Sequence, residues 1–308
     1  QKNRLYRVDP RNPADQKGYP VPLDGPSAPH TVNDDAEGYI WEAGIEGDHI
    51  ARFDPRTEQW KVFDGFGPGS AAHDMAVNHQ FQVSPDAKGR IWVTLIGKNR
   101  LGAVDPATGK VQEFDAPLAP DNNIFRAAIY GLVMDSKKRV WYSQLTGGVG
   151  VFDTATDQFG AALDYAPGTG PRRMAIDDQD HLYVPLFGSG QLSIVDANTA
   201  QEIERVDLPD RNAAPYSAVW DPWRRVVWLG NSNSDSIYRY DPATRAFSQI
   251  PLPRQMAYLR MITFDRRTGN LWTSYSNIPT GQGPSMFVEV HVGDGVTPPD
   301  TADVAQAR

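Results

Sequence analysis

Six side chains lie at one fixed distance upstream of a recurring aspartate. Counting back five residues from Asp35, Asp86, Asp135, Asp177, Asp221 and Asp265 reaches His30, Phe81, Tyr130, Arg172, Tyr216 and Arg260. An imidazole can exchange a proton near neutral pH. Guanidinium forks match carboxylates, and aromatic faces stack on planar groups. Equal offsets in equivalent segments imply equivalent positions. The six are therefore expected to line one small mouth that takes a small anionic or planar ligand, with His30 as the candidate catalytic base. Gln144, Asn231 and Tyr275 each follow a recurring aromatic by three residues and are expected just outside that ring.

Other chemistry is weaker in the sequence. His73, Asp74 and His79 fall in Gly65–Gln80, which reads as a long connection. Two histidines with a nearby aspartate could hold a divalent metal, yet the spacing names no third ligand, so solvated loop histidines are the plainer reading. His49, His181 and His291 read as surface residues. With no cysteine in 308 residues there is no Fe–S cluster, no thiolate nucleophile and no covalent haem attachment. The recurring turn aspartates lack the spacing of a calcium loop and fit turn capping.

The elements that would position these residues come from a repeat. Six segments lead from an aspartate turn through two apolar or small residues into Trp41, Trp92, Trp141, Tyr183, Trp228 and Trp272. After the first five, a second turn opens at Asp54, Asp105, Asp153, Asp196 and Asp241, always 12 or 13 residues on. Asp followed by Pro or Ala and then Thr is turn chemistry, and the residues before it (Phe53, Val104, Phe152, Val195, Tyr240) are strand formers. Each unit thus reads as four short strands. Sheets of this size bury enough surface only by packing radially, so an all-β propeller of four-stranded blades is expected.

Blades are expected from about residues 28, 79, 128, 170, 214 and 258. A partial blade at 4–23 holds only a third- and a fourth-strand motif, Arg4–Asp9 and Tyr19–Leu23. The sixth full unit lacks a clear last strand. That gives 25 strands, three short of seven blades, and seven is the favoured count. Six blades, with Tyr19–Leu23 as the outer strand of the sixth, is the alternative. An upstream segment or a partner chain at the incomplete blade would supply the missing strands, because open sheet edges invite pairing. The propeller is expected to span 1–294, followed by a flexible tail at 295–308.

Composition narrows the partners. Gly (27) and Pro (25) are spread along the chain and argue against a helical protein. A net charge of −8 without a basic cluster argues against a nucleic-acid binder. The longest mainly apolar run, Phe125–Met134, contains Arg126 and is too short for a bilayer span.

The phrases Gly38-Tyr-Ile-Trp41 and Arg100-Leu-Gly-Ala-Val-Asp-Pro-Ala-Thr-Gly109 resemble those of the virginiamycin B lyase (streptogramin lyase)-like propellers. The likeness covers nearly all of residues 4–294. It implies a seven-bladed propeller in a periplasmic or secreted bacterial protein. Where the lyase activity holds, it implies linearisation of a cyclic depsipeptide by elimination, with Mg²⁺ and His/Glu side chains at the mouth. Pro29-His30 matches the family's inner-strand motif. The glutamate that commonly follows the blade Trp by three residues is absent, since those places hold Gly44, Leu95, Gln144, Leu186, Asn231 and Tyr275. Glu42 sits one residue after Trp41, on the other strand face. The functional expectation is therefore an exported ligand-binding propeller with room for lyase-type chemistry. A non-catalytic propeller subunit, scaffolding an exported complex, is the alternative.

Overall fold

The computed structural model describes residues 3–76, 84–117, 128–265, 267–275 and 286–293. Twenty-five strands are present among them, the number expected from the repeat, and no helix is long and apolar enough to cross a membrane. The chain divides into two compact units, Gln1–Asp164 and Tyr165–Arg308.

The first unit opens with a two-stranded sheet, β1 (Arg4–Asp9) and β2 (Asn12–Pro20). Three antiparallel sheets of four follow. They are β3 (Pro29–Asp34), β4 (Ile40–Gly44), β5 (His49–Asp54) and β6 (Gln59–Phe63); β7 (Ala72–Ala76), β8 (Ile91–Leu95), β9 (Arg100–Val104) and β10 (Val111–Asp115); and β11 (Ile129–Met134), β12 (Val140–Gln144), β13 (Gly148–Asp153) and β14 (Gln158–Asp164). The second unit holds β15 (Ala175–Ile176), β16 (His181–Leu186), β17 (Gln191–Asp196) and β18 (Gln201–Asp207), then β19 (Pro215–Asp221), β20 (Val226–Asn231), β21 (Ser236–Asp241) and β22 (Ala246–Pro251). A three-stranded sheet of β23 (Ile262–Phe264), β24 (Leu271–Tyr275) and β25 (Met286–Val290) ends it.

Six blades are therefore present among the described residues, which fits the six-bladed count and does not reach the favoured seven. The N-terminal hairpin stays a sheet of two strands. The second blade begins at Ala72 rather than near 79, because its first strand lies inside the stretch read as a connection.

Burial shows why four strands suffice. Strands such as β8, β12 and β20 are covered on both faces, while the outer strand β18 alternates between half-buried and exposed. Neighbouring sheets meet face to face: Trp41, Ile50 and Phe63 pack on Met75, Ile91 and Leu95 in the first unit. Tyr183, Leu192 and Ile194 pack on Trp220, Leu229 and Tyr238 in the second. The turn aspartates fix each blade aromatic. Indole N–H groups of Trp41, Trp92, Trp141 and Trp228 donate to Asp35, Asp86, Asp135 and Asp221 at 2.7–3.1 Å. The Tyr183 hydroxyl donates to Asp177 at 3.1 Å. The same carboxylates accept backbone N–H groups of their own turns, at Glu37 and Tyr39 for Asp35, so a single side chain closes the turn and anchors the core.

Candidate functional site

A left-handed residue introduces five of the first strands. Ala28 (φ 45°), Ala71 (φ 55°), Gly170 (φ 63°), Ala214 (φ 51°) and Tyr258 (φ 45°) stand two positions before His30, His73, Arg172, Tyr216 and Arg260. A register shift then follows between Pro29 and Thr31, Ala72 and Met75, Ile129 and Leu132, and Pro215 and Ser217. Such bulges re-aim a side chain at the end of a sheet. They make His30, His73, Tyr130, Arg172, Tyr216 and Arg260 the equivalent set.

His73 therefore takes the place expected for Phe81. Residues 77–83 separate β7 from the turn at Asp86, so a five-residue count back from Asp86 lands in that insertion. Phe81 and His79 lie outside the described residues, as does the 295–308 tail. His73 and Asp74, read as loop residues, are instead buried on β7.

In the first unit the set forms a ladder of rings. His30 and His73 have centroids 4.3 Å apart at 36°, and His73 and Tyr130 follow at 4.2 Å and 44°. Thr94 braces it: its hydroxyl accepts the Asp74 N–H at 2.9 Å and donates to the Tyr130 carbonyl at 3.1 Å. The Asp74 carboxylate accepts the Leu132 N–H at 3.2 Å and so ties β7 to β11. Among the described residues, no group of three or more His, Asp or Glu is placed to hold a metal. Mg²⁺ asks for several hard oxygen ligands. Imidazoles, guanidiniums and phenols do not fit it.

In the second unit the set centres on Tyr216. Arg260 donates from Nε and a terminal nitrogen to the phenolic oxygen at 3.2 and 3.1 Å. Its Cζ lies 5.4 Å from the Tyr216 centroid, and that of Arg172 lies 5.9 Å away. Two aromatics that the repeat count missed complete the cluster. Phe187 stands 5.9 Å from Tyr216 at 84° and carries the Arg172 guanidinium 4.5 Å above its ring, while Tyr258 stands 6.5 Å from Tyr216 at 58°. Arg172, Phe187, Tyr258 and Arg260 are half-buried and Tyr216 is buried. Arg173, the next residue along, also lies 5.9 Å from the Tyr216 ring. It donates its backbone N–H to the Tyr216 carbonyl at 3.2 Å in a parallel bridge. Neither Phe187 nor Tyr258 lies at the counted offset, so the repeat carried no signal for them.

The three flanking candidates each make contacts inside their own unit. Gln144 donates to Pro117 O at 2.7 Å and Asn99 Oδ1 at 3.3 Å. Asn231 is fully buried and donates to Ser236 O at 3.1 Å. Tyr275 belongs to an apolar cluster with Trp228 and Leu271, and burial pushes its phenol pKa up. His49, expected at the surface, is wholly buried against Glu42. His181 is half-buried beside Asp177, and His291 is exposed.

Repeated four-stranded blades with their inner-strand ends carrying the polar set define the chain as an all-β propeller. Its fold is that of virginiamycin B lyase. The Staphylococcus aureus enzyme is 17% identical with a TM-score of 0.71, over 88% of this chain and 84% of that one. A streptogramin B lyase structure is 20% identical with a TM-score of 0.69, over 88% and 85%. The extracellular domain of a one-component system protein from B. thetaiotaomicron is 17% identical with a TM-score of 0.63, over 92% of this chain and 39% of that one. No protein-family model and no curated protein sequence matches the chain.

Proposed function

We propose that the protein is an exported propeller that binds a small anionic or planar ligand at the Tyr216 cluster of its second unit. The carrying observation is convergence: Arg172 and Arg260, each just ahead of the first strand of its blade, meet the Tyr216 ring. Guanidiniums beside aromatic faces can give a small anion charged hydrogen bonds. Export is supported by the extracellular propeller among the structural neighbours. The test is a titration of the whole chain with acetate and inorganic phosphate. Arg172→Ala and Arg260→Ala are each expected to weaken binding about tenfold, in line with roughly 1.5–3 kcal/mol for a charged hydrogen bond. Unchanged affinity in both would sink the proposal.

Lyase-type elimination is a separate reading, and it concerns the His30–His73–Tyr130 ladder of the first unit. A structure of the S. aureus lyase with quinupristin uses a histidine-to-alanine variant that is catalytically inactive. Here the acid–base groups would be His30 and His73. Chromatography of a cyclic depsipeptide after incubation tests it: a linear product lost in His30→Ala and His73→Ala supports elimination, and intact substrate with the wild type ends it.

A scaffold role is favoured by one observation. The last sheet has three described strands, and Phe287 on β25 is 69% exposed. A partner strand could extend that edge. Loss of a co-purifying partner in Phe287→Asp is the expected signature.

A further inference from the structure

Tyr258 breaks a pattern. At the left-handed position of the other blades the chain uses Ala28, Ala71, Gly170 and Ala214, all small. Left-handed backbone is unfavourable for a residue with a side chain, and more so for a bulky one. Such outliers persist where the surrounding structure holds them, often at ligand sites. Here the side chain so placed faces the Tyr216 ring, with Phe187 standing on the same phenol.

We propose that the second unit binds an aromatic carboxylate, with Tyr258 as the residue that selects the ring. This rests on the anion-binding reading and narrows it. Phe187 and Tyr258 stand at 84° and 58° to the Tyr216 plane, so the rings make an angled aromatic surface rather than one stacked column. A planar ring laid against such a surface makes offset or edge contacts with it. Arg260 is held on the phenolic oxygen and Arg172 over Phe187, so both guanidiniums lie against the aromatic surface. A planar carboxylate suits a guanidinium fork in two parallel hydrogen bonds. An aliphatic acid would use the guanidiniums and leave the aromatic surface uncovered. A neutral ring would do the reverse.

The experiment is a ligand-observed NMR titration of the full chain with benzoate, cyclohexanecarboxylate, acetate, benzyl alcohol and phenyl phosphate. Benzoate is expected to bind about tenfold more tightly than cyclohexanecarboxylate and more tightly than benzyl alcohol or phenyl phosphate. In Tyr258→Ala the preference for benzoate over cyclohexanecarboxylate should vanish while acetate affinity holds. A melt of the variant confirms that it is folded, and Tyr258→Phe should keep the preference. Equal binding of the two ring acids by the wild type, or a preference that survives Tyr258→Ala, overturns the aromatic selection and leaves the anion site standing. Tighter binding of phenyl phosphate overturns the carboxylate. If no anion binds, and Arg172→Ala and Arg260→Ala behave as the wild type, the anion site itself is wrong.

Discussion

His49 and Glu42 meet through Nε2 and Oε1 at 2.6 Å with neither side chain exposed to solvent. The imidazole fits because two glycines make room: a Cβ on Gly44 would overlap its ring, and one on Gly47 would come within 2.6 Å of Nδ1. Ser27 Oγ lies 3.3 Å from the same Nε2. Both polar partners therefore sit on one nitrogen, which is the geometry of a structural pair rather than of a hydrolase relay.

Breaking this pair should be costly. His49→Ala leaves a buried carboxylate without its partner and is expected to cost about 3 kcal/mol or more. Glu42→Gln keeps an acceptor at Oε1 and should cost about 1 kcal/mol. Gly44→Ala should match His49→Ala, since the ring is displaced. Urea unfolding of the three variants checks the order. A His49→Ala midpoint equal to the wild type would show that the pair contributes nothing.

A second expectation concerns the strained aromatic. Tyr258→Gly removes the left-handed penalty and should raise stability by roughly 1 kcal/mol, while discrimination among ring acids is lost. Stability and selectivity would then move in opposite directions, as they do where strain serves binding. A destabilised Tyr258→Gly would mean that ring packing outweighs the strain.

What the sequence shows clearly is the part set by turn chemistry. Asp-Pro-x-Thr turns and the aspartate-to-Trp spacing placed most strands because the same carboxylate must close the turn and reach the indole, as Asp35 does for Trp41. The five-residue count found His30, Tyr130, Arg172, Tyr216 and Arg260 for the same reason. It failed in the second blade, where 77–83 intervene between β7 and Asp86 and hide His73. It missed Phe187 and Tyr258 because neither lies at the counted position. His49 reads as surface only if its strand is an outer one, whereas β5 pairs with both β4 and β6.

Acid should weaken the first unit through Glu113. Burial pushes this carboxyl up, but the Gly67 N–H and the Arg100 guanidinium, at 2.5 and 2.8 Å, outweigh it and hold the pKa below the usual 4.5. A depressed carboxylate contributes stability that is complete above the unfolded value near 4.5 and lost as pH falls through the folded one. Melting temperatures between pH 6 and pH 3 should therefore drop less steeply in Glu113→Gln than in the wild type. Parallel curves would show that the group is not linked to folding.

The blade turns offer the sharpest contrast. Asp86 accepts the backbone N–H groups of Lys88 and Arg90 at 2.8 Å, the Arg90 Nε–H at 2.8 Å and the Trp92 indole N–H at 2.9 Å. Asp241 accepts only the exposed Ala243 and Thr244 N–H groups, at 2.9 and 3.3 Å, among the described residues. Asp86→Ala strands a buried indole N–H and half of a buried ion pair, although Arg90 keeps Asp157 at 2.7 Å. The expected cost is roughly 3–5 kcal/mol, with Trp92 fluorescence reporting the loosened core. Asp241→Ala loses turn bonds that water replaces, and should cost about 1 kcal/mol. Asp86→Asn falls between, because its carboxamide turns a donor toward the indole. Equal destabilisation by Asp86→Ala and Asp241→Ala would reduce the recurring aspartate to a turn former and detach it from the blade core.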